Sequence, residues 1–201
     1  MKYLMIFSAV IFALSCSNMD EEDVSPAVIL TETDYSETLI FMREEEKLAR
    51  DVYQSLYALW AQPVFSNIAS SEQKHMDAVK TLLDQYGLED PVVDNAIGSF
   101  QNQELAGLYA DLMTEGSESI EQAFAVGALI EEIDIRDLDL AVDSIAQADI
   151  ITVYESLNKG SRNHLRSFYK SLEQVGVTYT PQILASEYFY AIVNSEVERG
   201  K

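Results

Sequence analysis

Cysteine is almost absent from this chain of 201 residues: Cys16 stands alone. No intrachain disulfide can form, no cysteine nucleophile sits among the folded segments, and there is no C-x-x-C module of the rubredoxin kind. Positive charge is scarce, with 13 Lys and Arg against 34 Asp and Glu and a formal net charge of −21. Such a surface repels phosphate backbones, which excludes nucleic acid as a partner, and it raises the local concentration of cations. The eight glycines form no phosphate-binding loop and no G-x-S-x-G nucleophile elbow. No alternating pattern is long enough to build a sheet, and no internal repeat or low-complexity tract occurs. Asp134, Asp137, Asp139 and Asp143 are dense but lack the glycine and terminal glutamate of an EF-hand. They read as the exposed end of a helix. Histidine is limited to His75 and His164.

The N-terminus reads as a targeting segment. Lys2 is followed by an apolar run from Tyr3 to Leu14 and then by Ser15-Cys16. The run is shorter than the roughly 20 residues that a membrane-spanning helix needs. A basic start, a short apolar stretch and small residues at the end describe a secretory signal. The cysteine directly after that stretch resembles a bacterial lipobox, with Ala13 where leucine is more usual. Residues 1–15 are then a signal peptide and Cys16 is the lipidated first residue of the mature chain. The alternative is an ordinary signal peptide with an incidental cysteine. Asp20-Glu21-Glu22-Asp23 resembles the export tags of surface-exposed Bacteroidetes lipoproteins, which implies the cell envelope, an outer-membrane lipoprotein and a membrane partner through the lipid. Residues 16–34 read as an acidic tether and 35–201 as one domain.

Within that domain the apolar residues recur at helical spacing. Leu39, Met42, Glu46, Ala49, Tyr53 and Leu56 share one face of a helix that runs from about Ser36 to Trp60. A second helix starts near Ser66, a candidate cap, and stops at Gly87, with the stripe Ile68, Glu72, His75, Val79, Leu82, Tyr86. A long connection, about 88–117, carries one short amphipathic helix. A third long helix follows the capping-box pair Ser119 and Gln122, with the stripe Phe124, Ala128, Glu131, Ile135, Leu138. The fourth lies between Asp149 and Gly176, with the stripe Val153, Leu157, Ser161, His164, Phe168. An extended segment around Pro181 and a short packing helix from about Ser186 complete the chain. The fold expected is all-α: a ferritin-like four-helix bundle with a long crossover between its second and third helices.

Each long helix places a metal-competent side chain on its apolar stripe: Glu46, Glu72 with His75, Glu131, and His164. Taken singly, Glu44-Glu45-Glu46 and Glu131-Glu132 are the charge runs of solvated faces, and one E-x-x-H is a common accident of spacing. Taken together they converge. Unpaired carboxylates in a bundle core are costly, and a cation held among them removes that cost. Carboxylate and imidazole donors suit iron first, with manganese or zinc as alternatives. Di-iron bundles draw one Glu from each of two helices and E-x-x-H from each of the other two. Here the fourth helix carries Ser161-x-x-His164, one carboxylate short. Asp134 could substitute, as could Glu45 or Glu132 by a rotation of its helix. Tyr53, two turns from Glu46, is a hydrogen-bond donor beside the site, a redox-active neighbour or simply core.

Glu46-x-x-Ala49-Arg50-x-x-Tyr53 is similar to the first-helix motif of rubrerythrins, and Glu72-x-x-His75 to their second. EEEKLARDVY, IASSEQKHMDAV, VGALIEEIDIRDL and GSRNHLRSF together look like the ferritin-like bacterial family catalogued as domain of unknown function 2202, over roughly 36–194. The resemblance implies a ferritin-like fold and metal binding, with no settled activity. The functional expectation is a lipid-anchored protein holding one or two irons and reacting with oxygen, peroxide or Fe(II), as a ferroxidase or peroxidase would. Its electrons come from an external donor, and a homodimer stays open as an assembly. The alternative is a non-enzymatic surface lipoprotein with a structural metal or a metal-free polar core.

Overall fold

A computed structural model describes residues 32–199, with side chains described from Tyr35 onward. Six helices, and no strand among the described residues, make up the fold: α1 (Glu32–Trp60), α2 (Pro63–Tyr86), α3 (Gln103–Gly116), α4 (Ile120–Ser144), α5 (Ala148–Gln174) and α6 (Ser186–Val193). The signal segment, Cys16 and most of the tether lie outside the described residues. Two tight hairpins, α1–α2 and α4–α5, form the bundle. They meet through α1 against α4 and α2 against α5. The connection between α2 and α4 carries α3, which packs on α1 and α4, and α6 packs on α5.

Local signals account for most boundaries. The first hairpin turns at Ala61-Gln62, with Ala61 at φ 52 in the left-handed region, and Pro63 then opens α2 with its preset φ. That start overrides the expected cap. Gln62 is the N-cap, and the Ser66 hydroxyl, one turn inside the helix, donates to Pro63 O. Gly87, φ 67, closes α2, and its neighbour Leu88 donates back to Leu83 O. Ser119 caps α4 as expected by accepting from Gln122 N. The cap of α5 is Gln147 rather than Asp149, which sits in the first turn and accepts from Tyr86 and Gln85 of α2. At its start α1 runs into the span read as tether, and Tyr35 in that added turn packs its ring 5.0 Å from that of Tyr86.

The apolar core is divided. One cluster gathers Val52, Tyr53, Phe65, Phe124 and Phe168 with α3 and α6; the other gathers Leu39, Met42, Val79, Leu138, Ile150 and Tyr154 at the opposite end. Between them, along every long helix, lies a layer of buried polar residues that includes Glu46, Glu72, Glu131, Ser161 and His164. This layer is what interrupts the otherwise apolar stripes.

Candidate metal centre

Glu44, Glu45 and Glu46 do not form a solvated run. All three are buried, and because successive helix residues diverge by about 100° they reach three different neighbours. Glu44 accepts from Gln101 N and Asn102 N and so holds the start of α3. Glu45 faces Asp137 of α4. Glu46 faces α2, where its Oε2 lies 3.1 Å from His75 Nδ1. On the same helix Lys47, Arg50 and Asp51 pin the 88–102 connection: Lys47 donates to Asp51 and to Ala96 O, Arg50 to Asn95, and Asp51 accepts from Gly98 N.

The expected ligands converge. Glu72 stands between the two histidines, with Oε2 2.7 Å from His75 Nδ1 and Oε1 2.7 Å from His164 Nδ1. Glu131 Oε2 lies 3.5 Å from the same His164 nitrogen. Two triads result, Glu46–Glu72–His75 and Glu72–Glu131–His164, each with one donor atom per residue inside a 4.8 Å span. Glu72 belongs to both, and the imidazole rings stack with centroids 5.6 Å apart.

The contacts among these atoms are close but poorly aligned as hydrogen bonds. Only the His75–Glu46 contact is aligned as a hydrogen bond. Both oxygens of Glu72, Oε1 of Glu46, Oε2 of Glu131 and Nδ1 of His164 are buried with no hydrogen-bond partner. Buried polar atoms left in that state are rare and costly. Donors bound at about 2.0–2.2 Å, at right-angle or tetrahedral geometry, lie about 2.8–3.6 Å apart, close to the separations seen here. In the metal-free protein, protons take the place of cations. Burial opposes the charge of His164, but Glu72 and Glu131 outweigh it and push its pKa up to about 10. His75 is likewise raised, against its burial, by Glu46 and Glu72. Burial pushes Glu46 up to about 7 despite His75, while Glu72, also opposed by burial, is held below the usual carboxylate range by His164 and His75.

The flanking candidates separate. Tyr53 donates to Glu131 Oε1 at 2.5 Å and reaches Gly127 O at 3.3 Å, leaving Oε2 of Glu131 turned to the triad. Glu132 faces away from the centre. Its oxygens accept from the Tyr179 hydroxyl and from the backbone N–H groups of Gln182, Ile183 and Leu184, so it anchors the segment before α6. Asp134 is not at the exposed end of a helix: α4 continues to Ser144, and Asp134 is buried beside Glu45 and Glu131. Of that aspartate group only Asp143 is exposed. Ser161 stands where a further carboxylate was wanted and donates to Leu157 O.

One residue of the site escaped the sequence reading. Gly160 of α5 lies against the His75 ring, where an added Cβ would stand 2.6 Å from Nε2. The signal was available: a glycine inside a helix costs about 1 kcal/mol relative to alanine and calls for a packing reason.

The chain belongs to the family described as uncharacterized protein domain DUF2202, whose model matches residues 35–196. It is 50% identical over 164 residues to the uncharacterized protein MJ0754 of Methanocaldococcus jannaschii, covering 82% of this chain and 89% of that protein. The crystal structure of the hypothetical protein MJ0754 from Methanococcus jannaschii matches with a TM-score of 0.81 at 46% identity, over 90% of this chain and 100% of that one.

Proposed function

We propose that this protein binds two divalent cations, iron foremost, in a ferritin-like bundle held at the outer membrane by a lipid on Cys16. The observation that carries the reading is the sharing of Glu72. One fully buried carboxylate serves two histidine-containing triads while neither of its oxygens accepts a hydrogen bond. Two helical hairpins joined by the long 87–119 connection support the ferritin-like description. Carboxylate with imidazole is the donor set of iron, manganese and zinc sites. A pair of irons would supply oxidation chemistry toward oxygen, peroxide or further Fe(II).

The chain's own residues set the conditions for that chemistry. Glu72 fixes the separation of the two triads. Tyr53 holds one oxygen of Glu131 and leaves the other for a cation. Ser161 in place of a second shared carboxylate makes the centre asymmetric. The two imidazoles, with side chains 12% and 11% exposed, are the most accessible of the five groups, so a small reactant reaches the centre along their edges. Electrons would come from an external donor. No described helix is long and apolar enough to cross a membrane.

Metal analysis of the tag-free mature protein tests the reading, followed by optical spectra after Fe(II) and air. About two ions per chain and an iron-dependent absorbance are expected. A protein that is isolated metal-free and takes up no iron refutes it.

A further inference from the structure

Two buried acids beside the centre belong to neither triad. Glu45 of α1 and Asp134 of α4 are each 2% exposed, and Glu45 Oε2 and both oxygens of Asp134 have no hydrogen-bond partner. Structural acids elsewhere in this bundle look different. Asp51 accepts from Lys47, Arg50 and Gly98 N; Glu132 accepts from four donors; Glu44 accepts from two backbone N–H groups. A buried carboxylate kept for packing is saturated by donors, and Glu45 and Asp134 are not.

Their leading charged neighbours are themselves acids. Glu45 is the foremost charged neighbour of Asp134, followed by Glu131, Glu46 and Glu72 of the centre. On its other side Glu45 meets Asp137, whose side chain is 18% exposed and clasped by Arg136 at 2.6 and 2.7 Å. Asp137, partly exposed, then Glu45, Asp134 and Glu131 are thus successive electrostatic neighbours on the facing helices α1 and α4.

We propose that Glu45 and Asp134 form a third cation site, a station that feeds the two triads with divalent cations arriving past Asp137. The inference rests on the dinuclear reading above. The site offers oxygen donors only, which suits a hard divalent ion such as Fe(II) or Mn(II). The triads add imidazole, so the cation is held more tightly further in, and the gradient runs toward the centre. Arg136 neutralises Asp137 until a cation replaces it.

Mn(II) alone is the probe, added to the metal-free mature protein. Anomalous diffraction from Mn(II)-soaked crystals is expected to show density at both triads and a weaker peak between Glu45 and Asp134. Glu45→Gln and Asp134→Asn, both close to isosteric, should each remove that third peak. Both triads should still fill to the same final level, but about tenfold or more slowly, read from the loss of the six-line EPR signal of aqueous Mn(II). Asp143→Asn on the exposed end of α4 serves as the surface control and should fill at the wild-type rate. Filled triads without the third peak in the wild type, or an unchanged filling rate in both variants, overturns the station and leaves the dinuclear centre standing. Triads that stay empty in the wild type refute the dinuclear reading itself, and the station falls with it.

Discussion

Gly160→Ala should divide the centre in two. The added Cβ would lie 2.6 Å from His75 Nε2 and 2.7 Å from Cε1, but 3.9 Å from His164 Cε1. Non-bonded heavy atoms settle at about 3.5–4.0 Å, so the His75 ring must retreat by roughly 1 Å while His164 feels only ordinary contact. Metal sites tolerate errors of about 0.2 Å in donor position. His75 Nδ1, now 2.7 Å from Glu72 and 3.1 Å from Glu46, would leave that window, and the Glu72–Glu131–His164 triad would not. The stability of the metal-free protein changes little by comparison. Helix propensity gains about 1 kcal/mol, overpacking costs about 1–3 kcal/mol, and the net is a loss of about 0–2 kcal/mol. Elemental analysis per chain should therefore fall from two ions to one, with a chemical melt showing a folded protein. Retention of two ions at unchanged affinity would refute the geometry, as would the loss of both from a protein that still folds.

Three further outcomes follow from the same contacts. Glu72→Leu removes the acid that keeps His75 and His164 protonated in the metal-free protein, and Glu132→Leu strands four donors, so each should cost on the order of 3 kcal/mol or more in urea melts. Only the Glu72 variant should also lose the metal-induced rise in Tm. The stability of the metal-free protein should fall as pH rises. Glu46, raised to about 7 when folded, binds a proton that the unfolded chain releases near 4.5, and His164, raised to about 10, keeps one that the unfolded chain releases near 6.5. The folded state thus binds the extra protons from about pH 4.5 to about pH 10, its advantage is lost across that window, and cation affinity should rise over the same range; a metal-free melt that improves from pH 5 to pH 9 would contradict this. Tyr53→Phe removes a hydrogen bond to a carboxylate and should cost about 1.5–3 kcal/mol, with weaker binding of one ion of the two by calorimetric titration.

The helices were legible because burial in a bundle imposes a period. Leu39, Met42, Glu46, Ala49, Tyr53 and Leu56 are all buried as their spacing required, and the five ligand candidates fell on stripes that the fold then brought together. What spacing could not show is the direction taken by adjacent acids. Glu45 beside Glu46, and Glu132 beside Glu131, differ by one position in sequence and by their whole environment in the fold. The partner of Glu132 is a backbone segment 50 residues away, with no motif to announce it. Asp134 looked exposed because its neighbours Asp137, Asp139 and Asp143 share its composition, but composition carries no information about which turn of α4 still lies under α1. The start of α2 differs from the spacing for a local reason: Ser66 has the chemistry of a cap, but Pro63 fixes the first turn one turn earlier.

The two triads also differ in what they connect. Glu46, Glu72 and His75 all come from the α1–α2 hairpin, so a cation there closes a site within one unit. Glu131 and His164 come from α4 and α5, and Glu72 reaches across to them from α2. A cation in the second triad therefore ties the two hairpins together at the level where the apolar core is interrupted. A cation in the second triad is lost when the hairpins separate, whereas one in the first triad stays bound wherever the α1–α2 hairpin survives that separation, and to that extent adds nothing to the docking of the two hairpins. The metal-induced rise in Tm should accordingly survive in large part in Gly160→Ala and be mostly lost in His164→Ala, although each variant gives up one ion. Equal losses in the two variants would mean that the hairpins dock as firmly without the shared glutamate's cation as with it, and that the polar layer stabilises the bundle by some route other than a bridge through Glu72.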